Sequence, residues 1–304
     1  MAQLVFIHKG CPNYLAPIIQ NTAKYCKDFV LLGDNSNRNL YKKWYNMDDY
    51  VDNRYEEFKT KYIHMSSNDY EFELVCFKRY FCVYDYARKH NINELWMLDS
   101  DLIIYEDISE LDMNKYDVAY FKWSGTDLEY NWTISPHCSY WTLDAMDDFI
   151  EFLMEAYTHQ INILREKWCF HKKNNINGGI CDMTLLYLWD RQKRWRVFNT
   201  GTITYDNTVF DSYVNSELLA NESVVMNVKL GLKRISFIEK KPLFQLQDGT
   251  LIKAKTIHAQ GPRKMYILNL IRCDSAYLLY RVSWINFYMN RLKLKIGKFL
   301  LNSV

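Results

Sequence analysis

Alternating apolar and helical segments in the first hundred residues constrain the fold of this chain more than any other feature. The apolar run LVFIH (4–8) is followed by YLAPIIQNTAKYC (14–26), whose apolar residues have helical spacing, and then by a second apolar run, FVLLGD (29–34). A longer helical pattern at 69–90 begins at the capping residue Asp69 and leads to a third apolar run. Strand–helix–strand order of this kind predicts a parallel, doubly wound α/β sheet.

The third apolar run carries two acidic residues that need a physical explanation. In ELWMLDSDLIIYED (94–107), Asp99 and Asp101 follow four mostly apolar residues and are separated by one residue, Ser100. Mutual repulsion and loss of hydration both make such a pair costly at the end of a buried strand, unless a cation binds there. Mg²⁺ and Mn²⁺ take oxygen ligands of this type and often share them with a diphosphate. A D-x-D tripeptide alone is a weak signal, but it is the only one in the chain and it ends a buried-type strand.

Polar residues follow each of the three apolar runs. His8 ends the first run, Asp34 ends the second, and Asp99 and Asp101 end the third. In doubly wound sheets, ligands bind at the carboxyl ends of parallel strands, so these side chains are candidates for one shared site. For Asp34 an alternative remains open, because the following Asn-Ser-Asn sequence is typical of a turn that an Asp begins.

The second half of the chain shows weaker but ordered patterns, and no repeat or linker interrupts it. These patterns predict a strand at 117–123, one long helix at 142–168 capped by Thr142, a Gly-Gly loop that leads into a helix at 174–192, and shorter strands up to 256–264. We therefore expect one catalytic-sized domain, 1–262, followed by a C-terminal segment (263–304).

Charge is distributed unevenly along the sequence. The net charge of the whole chain is +2, which is not the signature of a nucleic-acid-binding protein. Residues 263–304 carry eight Lys or Arg and one Asp, a net charge of +7, and the preceding 262 residues carry −5. The basic residues of 263–304 alternate with apolar and aromatic ones at helical spacing, which predicts amphipathic helices on an anionic membrane surface. The open alternative is a pair of helices docked on the body with basic outer faces.

Cysteine usage and the N-terminal residues predict a cytoplasmic location, and the basic C-terminal segment predicts peripheral attachment to the inner face of a membrane. The eight cysteines form no C-x-x-C pair and no spacing typical of a zinc site or disulfide framework, so we expect reduced thiols. The first ten residues predict a β-strand and not a signal peptide, and no uncharged apolar stretch reaches 18 residues.

Several motifs, in order, resemble the nucleotide-sugar-dependent glycosyltransferases of GT-A fold, particularly a bacterial and viral group that builds surface polysaccharides such as lipopolysaccharide and capsule. The resemblance runs from about residue 4 to residue 264 and is carried by FIHKGCPNYL, LLGD, FKRYFCVYDYA, LWMLDSDLIIYED, SPHCSYWT, NGGICDMTLLYLW and HAQGPRK. It implies a GT-A-like, Rossmann-type mixed sheet flanked by helices, with a C-terminal helical segment. It also implies that the catalytic domain, 1–262, has a nucleotide-binding half (1–120) and an acceptor half (121–262).

The resemblance also implies a donor site. Asp101 would ligate Mn²⁺ or Mg²⁺ directly, Asp99 would hold the ribose or a metal-bound water, and His258 would complete the metal site. The other donor residues implied are His8 and Asp34 at the base and ribose, Ser100 at the nucleotide, Arg79 beside the aspartates or the donor sugar, and Lys264 at a phosphate. Alternatives stay open for three of these residues: His258 as a core histidine, Arg79 as an exposed helix residue and Lys264 as part of the basic tail.

The resemblance implies an acceptor side as well. Gly178 and Gly179 would let a loop pass close to the sugar, and Asp182 would bind or deprotonate the acceptor. His137 and Trp141 would line the acceptor site. The alternatives are that Asp182 caps the helix that follows it, and that His137 and Trp141 are core residues.

The expected activity is transfer of a sugar from a nucleotide-diphosphate donor, with UDP as the favoured nucleotide, to a hydroxyl of a glycan or lipid-linked glycan. In an inverting enzyme Asp182 would be the base, and in a retaining one it would lie near the anomeric carbon or bind the acceptor; the sequence does not decide between them. Two alternatives belong to other classes. One is a phosphohydrolase with Asp99 as nucleophile, which Ile103 disfavours because Thr or Val is expected there, and the other is a non-catalytic glycan-binding or membrane-scaffold relative.

Overall fold

A seven-stranded mixed sheet forms the centre of the protein, whose computed structural model describes residues 1–217, 219–220, 224–229 and 231–273. Its strands, in the order in which they lie side by side, are β3 (Trp44–Asn46), β2 (Phe29–Gly33), β1 (Gln3–His8), β4 (Glu94–Leu98), β7 (Ser135–Thr142), β6 (Val118–Phe121) and β8 (Val197–Asn199). Strand β7 is antiparallel to β4 and β6, and the other neighbours pair in parallel. The predicted α/β class with a mixed sheet flanked by helices is confirmed.

Seven α-helices are described, and the predicted single helix at 142–168 is wrong. The helices are α1 (Leu15–Tyr25), α2 (Arg54–Lys61), α3 (Tyr70–Lys89), α4 (Leu143–His159), α5 (Ile161–Lys173), α6 (Asp182–Asp190) and α7 (Ile267–Arg272). Asp69 and Thr142 cap α3 and α4 as predicted, each by accepting a backbone N–H of the first turn. Between α4 and α5, Gln160 has non-helical backbone angles. No Gly or Pro lies near this break, so the local sequence pattern gave no sign of it.

A second sheet lies against the first and brings the end of the described chain back to the D-x-D turn. It contains β12 (Ile235–Ile238), β13 (Lys241–Gln245), β14 (Leu251–His258) and β5 (Leu102–Ile104), with β9 (Thr208–Phe210) paired in parallel to β14. A separate pair is formed by β10 (Val228–Lys229) and β11 (Leu232–Lys233). Strands β5 and β14 are antiparallel, with Leu102 opposite His258. This register places His258 next to the turn that holds Asp99 and Asp101.

The central sheet is buried on both faces. Along β4, Leu95 and Met97 pack into a core with α2, α3, α4 and α6, and Trp96 and Leu98 pack into a second core with α1 and the second sheet. Burial on both faces explains why β4 is almost continuously apolar in sequence. Trp141 belongs to the first core, and none of its surface is exposed. The core alternative therefore holds for Trp141, and the interpretation of this side chain as an acceptor-site residue is corrected.

Lys167 is a buried cation on α5 that binds the turn at residues 128–132. Its Nζ donates to the Tyr130 carbonyl at 2.6 Å, and the ammonium lies 5.8 Å from the ring centroid of Trp132. Desolvation by burial lowers the pKa of Lys167 from 10.5 to about 8. The folded protein therefore releases this proton at a lower pH than the unfolded chain does.

We expect this lysine to make the protein more stable in mild alkali. Below pH 8 Lys167 is charged in both states, and between pH 8 and 10.5 only the unfolded state keeps the proton, so the free energy of unfolding rises with pH. Relative to a Lys167→Met variant, the wild type should gain about 2 kcal/mol between pH 8 and pH 10. Urea titrations of both proteins at a series of pH values measure the free energy of unfolding of the wild type minus that of the variant. The other titrating groups are the same in both proteins, so their contributions cancel in this difference. A constant difference across the series would contradict the prediction.

In the described residues, no helix has the length and apolar character that a membrane crossing requires. Of the basic segment predicted at 263–304, the structure describes the residues up to Cys273, including α7. The predicted membrane-binding helices at 274–304 lie outside the described residues. The division of the chain into domains stays a prediction.

Candidate active site

The two aspartates lie in a tight turn that joins the two sheets. Asp99 follows β4 directly, and its backbone N–H donates to the His137 carbonyl at 2.8 Å. The Leu102 N–H closes the turn on the Asp99 carbonyl at 3.2 Å, and the Ala259 N–H donates to the Asp101 carbonyl at 3.0 Å. Both ends of the turn are thus held by ordered strands, so the positions of the two carboxylates are fixed by the fold.

Asp101 is buried and lies between two basic side chains. One carboxylate oxygen is 3.2 Å from Nε2 of His258, and the other is 3.2 Å from Nζ of Lys264. Burial would raise the pKa of Asp101, but the hydrogen bond and charge of His258 and the charge of Lys264 hold it well below its ordinary value. Burial would likewise lower the pKa of His258, and the Asp101 carboxylate reverses this and raises it.

Asp99, Asp101 and His258 form a cluster suited to a divalent cation. One ligand atom from each of the three side chains lies within 4.8 Å of the others. Nδ1 of His258 is 2.6 Å from the Ser212 carbonyl, which can only accept, so Nδ1 carries a proton and Nε2 is the ring nitrogen that faces the cluster. Nε2 is buried and lies 3.2 Å from the Asp101 carboxylate. A cation bound here would take the place of a proton on Nε2, and two carboxylates with one imidazole nitrogen are a donor set that fits Mn²⁺ or Mg²⁺.

Arg79 connects the aspartate turn to Asp182. Its Nη1 is 2.6 Å from Oδ1 of Asp99, and its Nη2 contacts Oδ2 of Asp182. Its side chain is only 12% exposed, so the alternative of an exposed helix residue is wrong. Burial raises the pKa of Asp99 more than the nearby Arg79 lowers it. Asp182 is the first residue of α6 and not its N-cap; its Oδ1 accepts the Met183 N–H, and its Oδ2 also lies 3.3 Å from the hydroxyl of Tyr80.

The predicted donor residues near the first two strands meet at the same edge of the sheet. Nδ1 of His8 and the hydroxyl of Ser100 are 2.8 Å apart. Lys264 also donates to the hydroxyl of Tyr14 at 3.1 Å, so it bridges the β1–α1 loop and Asp101. Burial lowers the pKa of His8, and the charge of Lys264 adds to the effect.

Asp34 stabilises the loops at this edge. Its carboxylate accepts the backbone N–H of Ser36 at 3.0 Å and that of Gly10 at 2.9 Å. The turn-forming alternative therefore describes what this side chain does in the structure. Burial would raise the pKa of Asp34, and the hydrogen bonds from Ser36 and Gly10 lower it further than burial raises it.

Gly178 and Gly179 lie in the loop before Asp182. The Ser67 N–H donates to the Gly178 carbonyl at 2.9 Å, and the Ile180 N–H donates to the Met65 carbonyl at 2.7 Å. Gly179 has a φ of +147°, and a Cβ there would lie 2.2 Å from the Met65 carbonyl oxygen, so only glycine fits. This close backbone contact fixes where the chain enters α6, and with it the position of Asp182.

His137 lies beneath the cluster, and sequence analysis missed the residues that bind it. Its ring stacks on that of His258, with centroids 4.3 Å apart and planes 2° apart. Its Nε2 donates to the carbonyl of Asp211 at 2.7 Å. Asp211 follows the short apolar run of β9, the same signal that drew attention to Asp34. It was missed because β9 is three residues long and its partner, β14, lies more than 40 residues away.

No protein-family model matches this chain, and no curated protein matches it. Solved structures do show similarity. Mouse xyloside xylosyltransferase 1 in its apo form is 12% identical, covers 65% of this chain and 84% of its own, and has a TM-score of 0.47. A glycosyltransferase involved in glycosylation of the major capsid of PBCV-1 is 12% identical over 69% of this chain and 85% of its own, with a TM-score of 0.35.

The galactosyltransferase LgtC in complex with donor and acceptor sugar analogues is 11% identical over 68% of this chain and 75% of its own, with a TM-score of 0.35. At these identities and TM-scores the likeness carries no conclusion about the family or the activity of this chain.

Proposed function

We propose that this protein is a metal-dependent glycosyltransferase that moves a sugar from a nucleotide-diphosphate donor to a hydroxyl of a glycan or lipid-linked glycan. The observation that carries the proposal is the cluster of Asp99, Asp101 and His258 at the carboxyl end of β4, with Lys264 beside it. Two carboxylates in one turn, with an imidazole nitrogen directed at the same point, are a suitable set of three ligands for a divalent cation.

In the proposed donor complex, Asp99, Asp101 and His258 hold Mn²⁺ or Mg²⁺. A divalent cation in this place supplies Lewis-acid stabilisation of the negative charge that develops on a departing diphosphate. Lys264 is near enough to Asp101 to exchange that contact for a phosphate oxygen. His8, Ser100 and the loop ordered by Asp34 lie at the same strand ends, and we assign the nucleoside to them.

On the acceptor side, we assign the sugar to the space next to the Gly178–Gly179 loop and the acceptor hydroxyl to Asp182. Arg79 fixes Asp182 relative to Asp99, so the acceptor group and the donor group are held by one guanidinium. A carboxylate in that position deprotonates the hydroxyl if configuration inverts, and orients the acceptor if it is retained. His137 is buried and stacks on His258, so we assign it to the support of that ring and not to contact with the acceptor.

Nucleotide binding is expected to raise the melting temperature only when a divalent cation is present. UDP at about 100 times its Kd should stabilise the folded state by about 2.7 kcal/mol, which corresponds to a rise of about 4 °C in melting temperature for a chain of this size. The measurement is a thermal-shift assay of UDP with Mn²⁺, with Mg²⁺ and with EDTA, and ADP and GDP serve as controls for the base. A parallel assay follows release of UDP from a panel of UDP-sugars.

Two results would count against the proposal. If UDP raises the melting temperature equally with Mn²⁺ and with EDTA, UDP binding does not depend on a metal in the donor site. The absence of a shift with every nucleotide, together with no UDP release, would point to the non-catalytic alternative.

A further inference from the structure

Asp211 and Lys233 form a buried ion pair beside the proposed metal ligands. The two side chains are 0% and 1% exposed, and the Lys233 ammonium also lies 5.0 Å from the ring centroid of Phe244. Removing two charges from water costs several kcal/mol, and apolar residues of similar size are often at least as stabilising. A contribution to stability alone is therefore a weak explanation for this pair, and what the Asp211 carboxylate binds becomes informative.

The residues 211–214 enclose His258 from three directions. Oδ2 of Asp211 accepts the backbone N–H of His258 at 2.9 Å. The Ser212 carbonyl accepts the ring Nδ1–H at 2.6 Å, and the His258 carbonyl accepts the Val214 N–H at 2.9 Å. The backbone of His258 and one nitrogen of its ring are thus all bound to a single four-residue segment.

The same segment limits rotation of the imidazole ring. The ring of His258 stacks on that of His137, and Nε2 of His137 donates to the Asp211 carbonyl at 2.7 Å. The Ser135 hydroxyl lies 2.9 Å from Nδ1 of His137 and holds that ring from its other side. A His258 ring fixed in this way keeps Nε2 directed at the aspartate turn, 3.2 Å from the carboxylate of Asp101.

Sheet register explains why these residues meet. Strands β9 and β14 are parallel, with Phe210 opposite Thr256, so the chain that leaves β9 runs beside the last residues of β14. Asp211, the first residue after β9, thereby reaches the backbone N–H of His258, two residues after Thr256. The segment is closed on its far side by Lys233, whose backbone N–H donates to the Val214 carbonyl at 2.6 Å. The Lys233 ammonium then meets the Asp211 carboxylate within the core.

We propose that Asp211 is a positioning residue for His258, and that Lys233 neutralises Asp211 so that the carboxylate can bind the His258 backbone in a buried place. The proposal rests on the proposed function, because His258 needs an aligned Nε2 only if it is a metal ligand. Groups that orient a metal-binding histidine typically change metal affinity by about 10- to 100-fold when they are lost.

Two double variants separate positioning from a general effect on stability. Asp211→Asn/Lys233→Met removes both charges and keeps a side-chain oxygen that can accept the His258 N–H. Asp211→Leu/Lys233→Met removes both charges and that acceptor. The probe is Mn²⁺ alone, titrated into the full-length chain while electron paramagnetic resonance reports the free ion, and far-UV circular dichroism and thermal melting report folding.

We expect the Asn/Met variant to bind Mn²⁺ within a few-fold of the wild type, and the Leu/Met variant to bind at least about tenfold more weakly. Equal Mn²⁺ affinity in two folded variants would overturn the proposal. A second measurement covers the case in which the Leu/Met variant does not fold. Nitrogen-15 histidine spectra of the metal-free wild type at alkaline pH, assigned with His258→Gln, should show the His258 proton on Nδ1, and a proton on Nε2 would overturn the proposal.

These outcomes are distinct from failure of the proposed function. If wild-type protein binds no Mn²⁺, the metal site fails, and the spectrum of His258 still decides whether the 211–214 segment fixes its ring. If the wild type binds Mn²⁺ and the Leu/Met variant binds it equally well, the proposed metal site is supported and the proposed role of Asp211 is contradicted.

Discussion

Replacement of Asp101 by Asn is expected to lower Mn²⁺-dependent release of UDP from a UDP-sugar by about 10³-fold. Asn keeps the shape of Asp101 but loses the charge, and its amide cannot replace a carboxylate as a ligand for a hard cation. The loss of charge also leaves His258 and Lys264 facing each other without the anion between them. A loss of about 4 kcal/mol of transition-state stabilisation corresponds to this change in rate.

The fold should survive the substitution, because the backbone carbonyl at position 101 still accepts the Ala259 N–H. A matched control is Asp248→Asn, in an exposed turn where the carboxylate accepts the Thr250 N–H at 2.9 Å, a bond that Asn can also make. The control should turn over the substrate at the wild-type rate. Equal rates for Asp101→Asn, Asp248→Asn and the wild type would show that Asp101 does not bind the cation that the reaction uses.

The parts of the fold that were predicted correctly are those whose signals are local. The apolar runs at β1, β2 and β4 stand between clear helical patterns, and the cap at Asp69 marks the start of α3 within one residue. Apolar run, turn residue and helical spacing all act over fewer than ten residues, so one sequence is enough to detect them. The same locality made the Asp99–Asp101 turn visible.

The parts that were missed depend on contacts between distant segments. Strand β7 lies in the middle of the central sheet, antiparallel to both neighbours, and its sequence does not reveal which strands it pairs with. The strand pairing decides that the Trp141 side chain is buried in the first core. The contact of Asp211 with His258 depends on the register of β9 and β14, and that of Arg79 with Asp182 joins residues 103 positions apart. Such pairings are set by how the layers pack, which local patterns do not encode.

Replacement of Arg79 by Met is expected to lower the free energy of unfolding by about 3 kcal/mol or more. The side chain of Asp182 is only 4% exposed, so without Arg79 its carboxylate stays buried with the Tyr80 hydroxyl as a remaining neighbour. Asp99 is 31% exposed and can be hydrated instead, so most of the loss should come from Asp182. Urea denaturation at neutral pH measures the change.

A matched control and a second substitution distinguish a buried charge from lost packing. Arg196→Met removes another two-point ion pair, with Asp117, but Arg196 is 63% exposed, and we expect no measurable loss of stability. Adding Asp182→Asn to Arg79→Met leaves no charge at the buried position, so the double variant should be more stable than the single one. If the double variant is no more stable than Arg79→Met, the loss of stability in Arg79→Met comes from lost packing of the Arg79 side chain and not from a buried unpaired charge. The ion pair would then serve only to fix Asp182 beside Asp99.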